Sequence, residues 1–169
     1  CIEINRLKLS NGTVIVRDAR TKTERLFGGI GADIEAGSLM GPYRFTGQAE
    51  MLGQPVQLTG GLEEMRQDRA APLNIEISLP GPNFKARFAG LLSLFSGGYA
   101  ARGKMVVEAP SLEGLTRSLG IAKGLAPDPV HFESTLTASA NTISMDETRI
   151  ELAGGKGYGK LKLEVGGES

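Results

Sequence analysis

The residues that could do chemistry in this 169-residue chain are few and scattered. Gly154, Gly159 and Lys160 fit the GxxxxGK spacing of a phosphate-binding loop. That loop also needs a Ser or Thr next in line for magnesium, and a helix N-terminus to receive phosphate. Leu161 stands in that place, and the residues from Leu161 to Val165 alternate as a strand does, so a glycine-rich hairpin is the better reading. His131 is the only histidine. With no cysteine partner and no carboxylate at ligand spacing, it assembles neither a metal site nor a nucleophilic triad. Glu63-Glu64 and Asp146-Glu147 are adjacent carboxylates. Neighbours on a strand point to opposite faces, which spoils shared acid–base work. Cys1 is the only cysteine, so no intrachain disulfide can form. It stands where a lipoprotein would be acylated. Yet the chain runs straight into an apparent strand, Ile2–Leu9, with no polar tether, so an arbitrary start is favoured. The expectation is a non-enzyme with no metal and no cofactor.

Composition agrees with that expectation. Net charge is zero, and Lys and Arg mix with Asp and Glu without forming a block. No field therefore steers the chain to nucleic acid or to anionic lipid. The 24 glycines are about twice the usual share and carry no three-residue period. In a strand-rich chain they mark bulges, tight turns and close backbone approach. There is no Trp, with six Phe and three Tyr, unlike an aromatic-rich sandwich core. The longest apolar stretch, Phe88–Ala101, is too short and too rich in glycine to cross a bilayer, and no signal peptide is recognisable.

The elements that would position these residues are strands. Ile2, Ile4, Leu7 and Leu9 open a first strand whose alternation slips near Asn5-Arg6. Ser10-Asn11-Gly12 predicts a hairpin turn, with Thr13–Val16 returning. Asp18–Glu24 reads as a loop, and Leu26 to Ile34 as a strand broken by glycines. Tyr43, Phe45, Gly47, Ala49 and Met51 oppose Arg44, Thr46, Gln48 and Glu50. After a turn at Gly53-Gln54-Pro55, Val56, Leu58 and Leu62 return. Leu73, Ile75, Ile77 and Leu79 oppose Asn74, Glu76 and Ser78. Pro80-Gly81-Pro82-Asn83 turns the chain, and Phe84, Ala86 and Phe88 oppose Lys85 and Arg87. The total is about a dozen short strands at meander spacing.

The stretch from Gly103 to Val165 has its own order. A strand ending at Met105-Val106-Val107 meets Pro110, which donates no N–H. Ser111 can cap a helix carrying Leu112, Leu115 and Leu119 on one face, and Gly120 stops it, which predicts a short helix over residues 111–120. After Pro127 and Pro129 the period returns to two. Phe132, Ser134, Leu136, Ala138 and Ala140 oppose Glu133, Thr135, Thr137 and Ser139. Leu161 and Leu163 alternate with Lys160, Lys162 and Glu164. On Gly103, Leu112, Leu115, Leu119, Gly120, Gly154, Gly155, Gly159, Leu161 and Leu163, this half resembles the C-terminal half of the AsmA family. These are Gram-negative envelope proteins related to bridge-like lipid transfer proteins. The resemblance implies a segment of a longer, inner-membrane-anchored periplasmic protein whose anchor lies outside residues 1–169. It implies a non-enzymatic role in phospholipid transport between inner and outer membrane, or in outer-membrane assembly and homeostasis. Phospholipid acyl chains, and other envelope proteins, are the partners it implies.

The physical question is what covers so large an apolar face, because water is a poor neighbour for it. A curved antiparallel meander sheet can form an open groove, or it can close as a β-sandwich or barrel. If the groove is open, Leu73, Ile75, Ile77, Leu79, Phe84, Phe88, Phe132, Leu136, Leu161 and Leu163 are its lipid-lining candidates. If the sheet is closed, the same residues are ordinary core. Leu91, Leu92, Leu94 and Phe95 sit beside a turn near Lys85, Arg87 and Arg102. They form either a candidate membrane-contact tip or a strand end tucked into the core. The alternative function is a structural or adhesion-type sandwich binding protein along a strand edge.

Overall fold

The computed structural model describes residues 5–18, 23–51, 54–66, 69–81, 83–95, 98–110, 129–152 and 155–164. These form ten strands: β1 (Arg6–Asp18), β2 (Thr23–Ala36), β3 (Tyr43–Met51), β4 (Gln54–Leu62), β5 (Ala71–Leu79), β6 (Phe84–Phe95), β7 (Gly98–Ala109), β8 (Val130–Ser139), β9 (Thr142–Leu152) and β10 (Gly155–Glu164). All ten belong to one antiparallel sheet, in the order of the sequence. Each strand pairs only with those before and after it, and β1 does not meet β10. The architecture is therefore an open meander, neither a barrel nor a sandwich, and contains no helix among the described residues. The expected helix over residues 111–120 lies outside them.

Apart from the β7–β8 crossing over residues 110–129, the connections between successive strands are short. The β5–β6 turn closes with Asn83 N donating to the Pro80 carbonyl at 3.2 Å, and Asn83 takes the left-handed φ of 54° that Asn tolerates. The β2–β3 turn is held by Ser38 Oγ, which donates to the Gly41 carbonyl at 2.7 Å and accepts from Met40 N at 3.1 Å.

Several expectations are corrected. Ser10-Asn11-Gly12 is not a hairpin: β1 runs through it to Asp18. Asn11 adopts a left-handed φ of 60° within a register shift against β2. An Asn-Gly pair supplies positive φ to a bulge as readily as to a turn. The slip expected near Asn5-Arg6 borders residues 1–4, which lie outside those described; the register shifts of β1 fall between Leu9 and Val14. Asp18, Thr23 and Glu24, read as loop, are strand ends. Leu26–Ile34 is strand as expected, and its glycines interrupt the register between Gly28 and Gly31.

Among the described residues no second layer lies on this sheet. Strands make extensive contacts only with their ladder neighbours. A compact protein of this length exposes about 8,000 Å², whereas this chain exposes 11970 Å². Ala71, Leu79 and Ala109 are the buried apolar residues among those described, and no large side chain is fully buried.

Candidate functional site: an uncovered apolar face

Register decides which side chains stand together, because directly paired residues in a ladder share a face. One row reads Ile34, Phe45, Gly60, Ile75, Phe88, Met105, Ser134 across β2 to β8. The next reads Ala32, Gly47, Leu58, Ile77, Ala86, Val107, Phe132, Ile150, Gly157 across β2 to β10. A third joins Leu62, Leu73, Gly90, Gly103, Leu136, Met145 and Leu161. Nearly every member is apolar or glycine. The same registers line up Arg44, Gly61, Asn74 and Ala89 with Lys104 and Thr135 on the opposite face.

All the lining candidates fall on the apolar side. Leu73, Ile75, Ile77 and Leu79 supply it from β5, Phe84 and Phe88 from β6, and Phe132 and Leu136 from β8. Leu161 supplies it from β10, and Leu163 holds the next register position, opposite Ile143. Leu79 is buried at 4% exposure and belongs to a packed strand end rather than to the open wall. Leu161, at 59%, is the most open of the nine whose side chains are described. Sequence reasoning missed the β9 contribution of Ile143, Met145, Ile150 and Leu152. Glu147 sits there in a bulge with φ 52°, so alternation is odd before it and even after it.

The sheet bends toward this face. Gly90 and Gly103 are register partners. A Cβ on Gly90 would lie 2.6 Å from the Gly103 Cα, and one on Gly103 would lie 2.8 Å from the Ala89 carbonyl carbon. In a regular ladder the opposed Cβ atoms stand about 4.5–5.5 Å apart. The two strands are therefore creased, with the apolar side on the inside of the crease. Nearby, the Phe45 ring lies across Gly60, its register partner, filling the space a Cβ would take. Along β4 and β6, exposure alternates between half-buried apolar-face residues and exposed polar-face residues. With no described element above, the half-burial comes from apolar neighbours shielding one another across the concave side.

One polar pair interrupts the apolar face. Ser134 and Thr148 are buried at 3% and 8% exposure. Ser134 Oγ donates to the Asp146 carbonyl at 3.1 Å and lies 3.0 Å from Thr148 Oγ1. Since the serine proton is used on Asp146, Thr148 is the donor of the second bond. Both hydroxyls are satisfied internally.

The polar face is laced with exposed ion pairs. Arg87 Nη2 meets Glu108 Oε2 at 2.6 Å, and Lys156 Nζ meets Glu151 Oε1 at 3.1 Å. Arg6 pairs with Asp33, which lowers the Asp33 carboxyl below its ordinary range through their hydrogen bond. Glu133 Oε1 receives Lys104 Nζ at 3.1 Å and His131 Nε2 at 3.3 Å. Those two hydrogen bonds, Lys104 first, hold the Glu133 carboxyl below its usual value. Arg149 lies 5.9 Å from the centre of the Tyr158 ring.

The chemistry considered from sequence is not assembled here. Gly159 and Lys160 lie inside strand β10, with Lys160 Nζ 3.9 Å from Asp146 Oδ1. His131 pairs with a single carboxylate, and among the described residues no group of three metal-ligating side chains gathers. The expected opposition of Asp146 and Glu147 is corrected: the bulge turns Glu147 Oε2 to 3.4 Å from Thr135 Oγ1, on the face Asp146 shares. Both carboxylates are solvated there. Compared with protein-family models, with curated proteins and with solved structures, the chain matches none.

Proposed function

We propose that this chain is a lipid-handling segment of the Gram-negative envelope, working without catalysis and without a cofactor. Its apolar face would receive phospholipid acyl chains as they pass between inner and outer membrane, or as the outer membrane is assembled. One observation carries the reading: a concave apolar face spanning ten strands has no described element over it. Hydrophobic contact is non-directional, so such a wall holds an alkyl chain without a strong stop along the way. The resemblance of Gly103–Val165 to the AsmA family supports the same reading. It adds a periplasmic setting, an inner-membrane anchor outside these residues, and envelope proteins as neighbours. The wall residues are Leu73, Ile75, Ile77, Phe84, Phe88, Phe132, Leu136 and Leu161.

The test is a lipid extract of protein purified from a Gram-negative host without detergent, read by mass spectrometry. The proposal expects phospholipid in defined amount, reduced by Leu136→Asp in folded protein. A clean extract from folded protein would contradict it. A second reading, protein binding by strand addition, draws on the outer edges of β1 and β10, which have no described partner strand. It expects the clean extract, and a partner lost when proline is placed on either edge strand. Lys156, Lys160 and Lys162 on β10 weigh against it, since lysine on an edge strand discourages pairing.

A further inference from the structure

Among the described residues the two ends of the sheet differ. At the end where β2 passes to β3 and β6 passes to β7, large apolar side chains stand in solvent. Leu39 is 86% exposed and Met40 42% on the first turn; Leu94 is 42%, Phe95 55% and Tyr99 46% on the second hairpin. At the opposite end the described connections present Pro80, Gly81, Asn83, Pro110 and Pro129, with no large apolar side chain.

The β6–β7 hairpin is apolar on both faces, unlike the rest of the sheet. Leu94 pairs with Tyr99 on the trough side, and Phe95 pairs with Gly98 on the polar side. It also overhangs. The last residue of β6 paired to β5 is Leu92, and the first residue of β7 paired to β8 is Ala100. A protein partner covers one face of such a hairpin, whereas hydrocarbon surrounds it. Tyr99 adds the ring-plus-hydroxyl character that favours a membrane–water interface. The β2–β3 turn carrying Leu39 lies four ladder steps away, roughly 19 Å along the sheet. It is braced by Met65 N donating to the Met40 carbonyl at 2.7 Å.

We infer that this end of the sheet docks onto a lipid bilayer, with Leu39 and the Leu94–Phe95–Tyr99 tip entering the interfacial layer. Between the two insertion points, the described residues of the β4–β5 connection set Glu63 and Glu64 against Arg66 and Arg69. Anionic headgroups are not what this balance attracts. Apolar insertion drives the contact, so it survives raised salt and occurs on uncharged membranes.

The chain has no Trp, so any introduced Trp reports alone. Phe95→Trp, Leu39→Trp and Tyr158→Trp would each be mixed with phosphatidylcholine vesicles carrying brominated acyl chains. Emission at positions 95 and 39 should shift to the blue and be quenched; position 158, on the distant polar face of β10, should not respond. Converting Leu94 and Phe95 together to Asp should lower vesicle partition at least about tenfold at unchanged circular dichroism. Solvent-like emission at 95 in the presence of vesicles overturns the inference, as does equal quenching at 158. A blue shift that needs no vesicles and grows with protein concentration overturns it too, and identifies a second copy as the occupant. Phe95 stands on the polar face, so its response is blind to acyl chains in the trough. Quenching at 95 with a clean lipid extract would therefore refute the trough and keep the docking end.

Discussion

Replacing Ile77 with aspartate separates an uncovered wall from a dry core. Ile77 lies mid-face between Leu58 on β4 and Ala86 on β6, and is 38% exposed. Roughly three-fifths of its side chain is out of water. Full burial of such a side chain is worth about 1.5–3 kcal/mol, so removing it costs about 1–2 kcal/mol. Exchanging a β-branched residue for Asp in a strand adds up to about 1 kcal/mol. The carboxylate itself stays hydrated, because no described element lies above it. The expected loss is therefore about 2–3 kcal/mol. In a chain of this length that is a fall in Tm of about 4–12 °C. Urea unfolding followed by far-ultraviolet circular dichroism measures it, with the m-value unchanged. Were the face sealed, a buried unpaired charge would add several kcal/mol more, and the total would pass about 5 kcal/mol. A loss of that size, or failure to fold, would refute the reasoning.

Two further outcomes rest on local geometry. Gly103→Ala places a methyl group against the β6 backbone, which cannot swing aside, and should cost about 2 kcal/mol or more by chemical denaturation. Gly157→Ala meets nothing within 4 Å, and should leave stability unchanged or raise it by up to about 1 kcal/mol; equal effects at both positions would contradict the crease. The Glu133 carboxyl titrates lower in the folded chain than its ordinary value of 4.5. It therefore contributes stability above that value and loses the contribution as pH falls through its folded value. Lys104→Met removes the principal partner. It should raise the Glu133 midpoint in an NMR titration, and the stability gap from the native chain should narrow below about pH 4.5.

Much of the fold was legible because one physical signal repeats. Wherever apolar and polar residues alternate without interruption, as in Leu73–Leu79 or Phe84–Phe88, the strand and its inward face could be read directly. Interruptions hid the rest. At Asn11 and Glu147 a left-handed residue changes the parity of the strand, so β1 looked like a hairpin and the β9 wall was invisible. The side of the sheet on which the apolar residues of β5, β6 and β8 stand was legible, but not its openness. Alternation is identical whether the inward face meets a second sheet or a lipid. What distinguishes them is register and the Gly90–Gly103 crease, which depend on pairing between distant segments. The docking end was half legible: Leu91, Leu92, Leu94 and Phe95 stood out as an apolar run. Leu39 did not, because a lone leucine in a turn carries no signal until the topology brings it to the same end.

The most direct test of the central claim is site-specific photocrosslinking along β6 in living Gram-negative cells. A photoreactive residue would be placed at each position from Phe84 to Ala89 in turn. The account predicts phospholipid adducts at 84, 86 and 88, on the apolar face, and none at 85, 87 and 89. Adducts at both parities, or at neither, would contradict it.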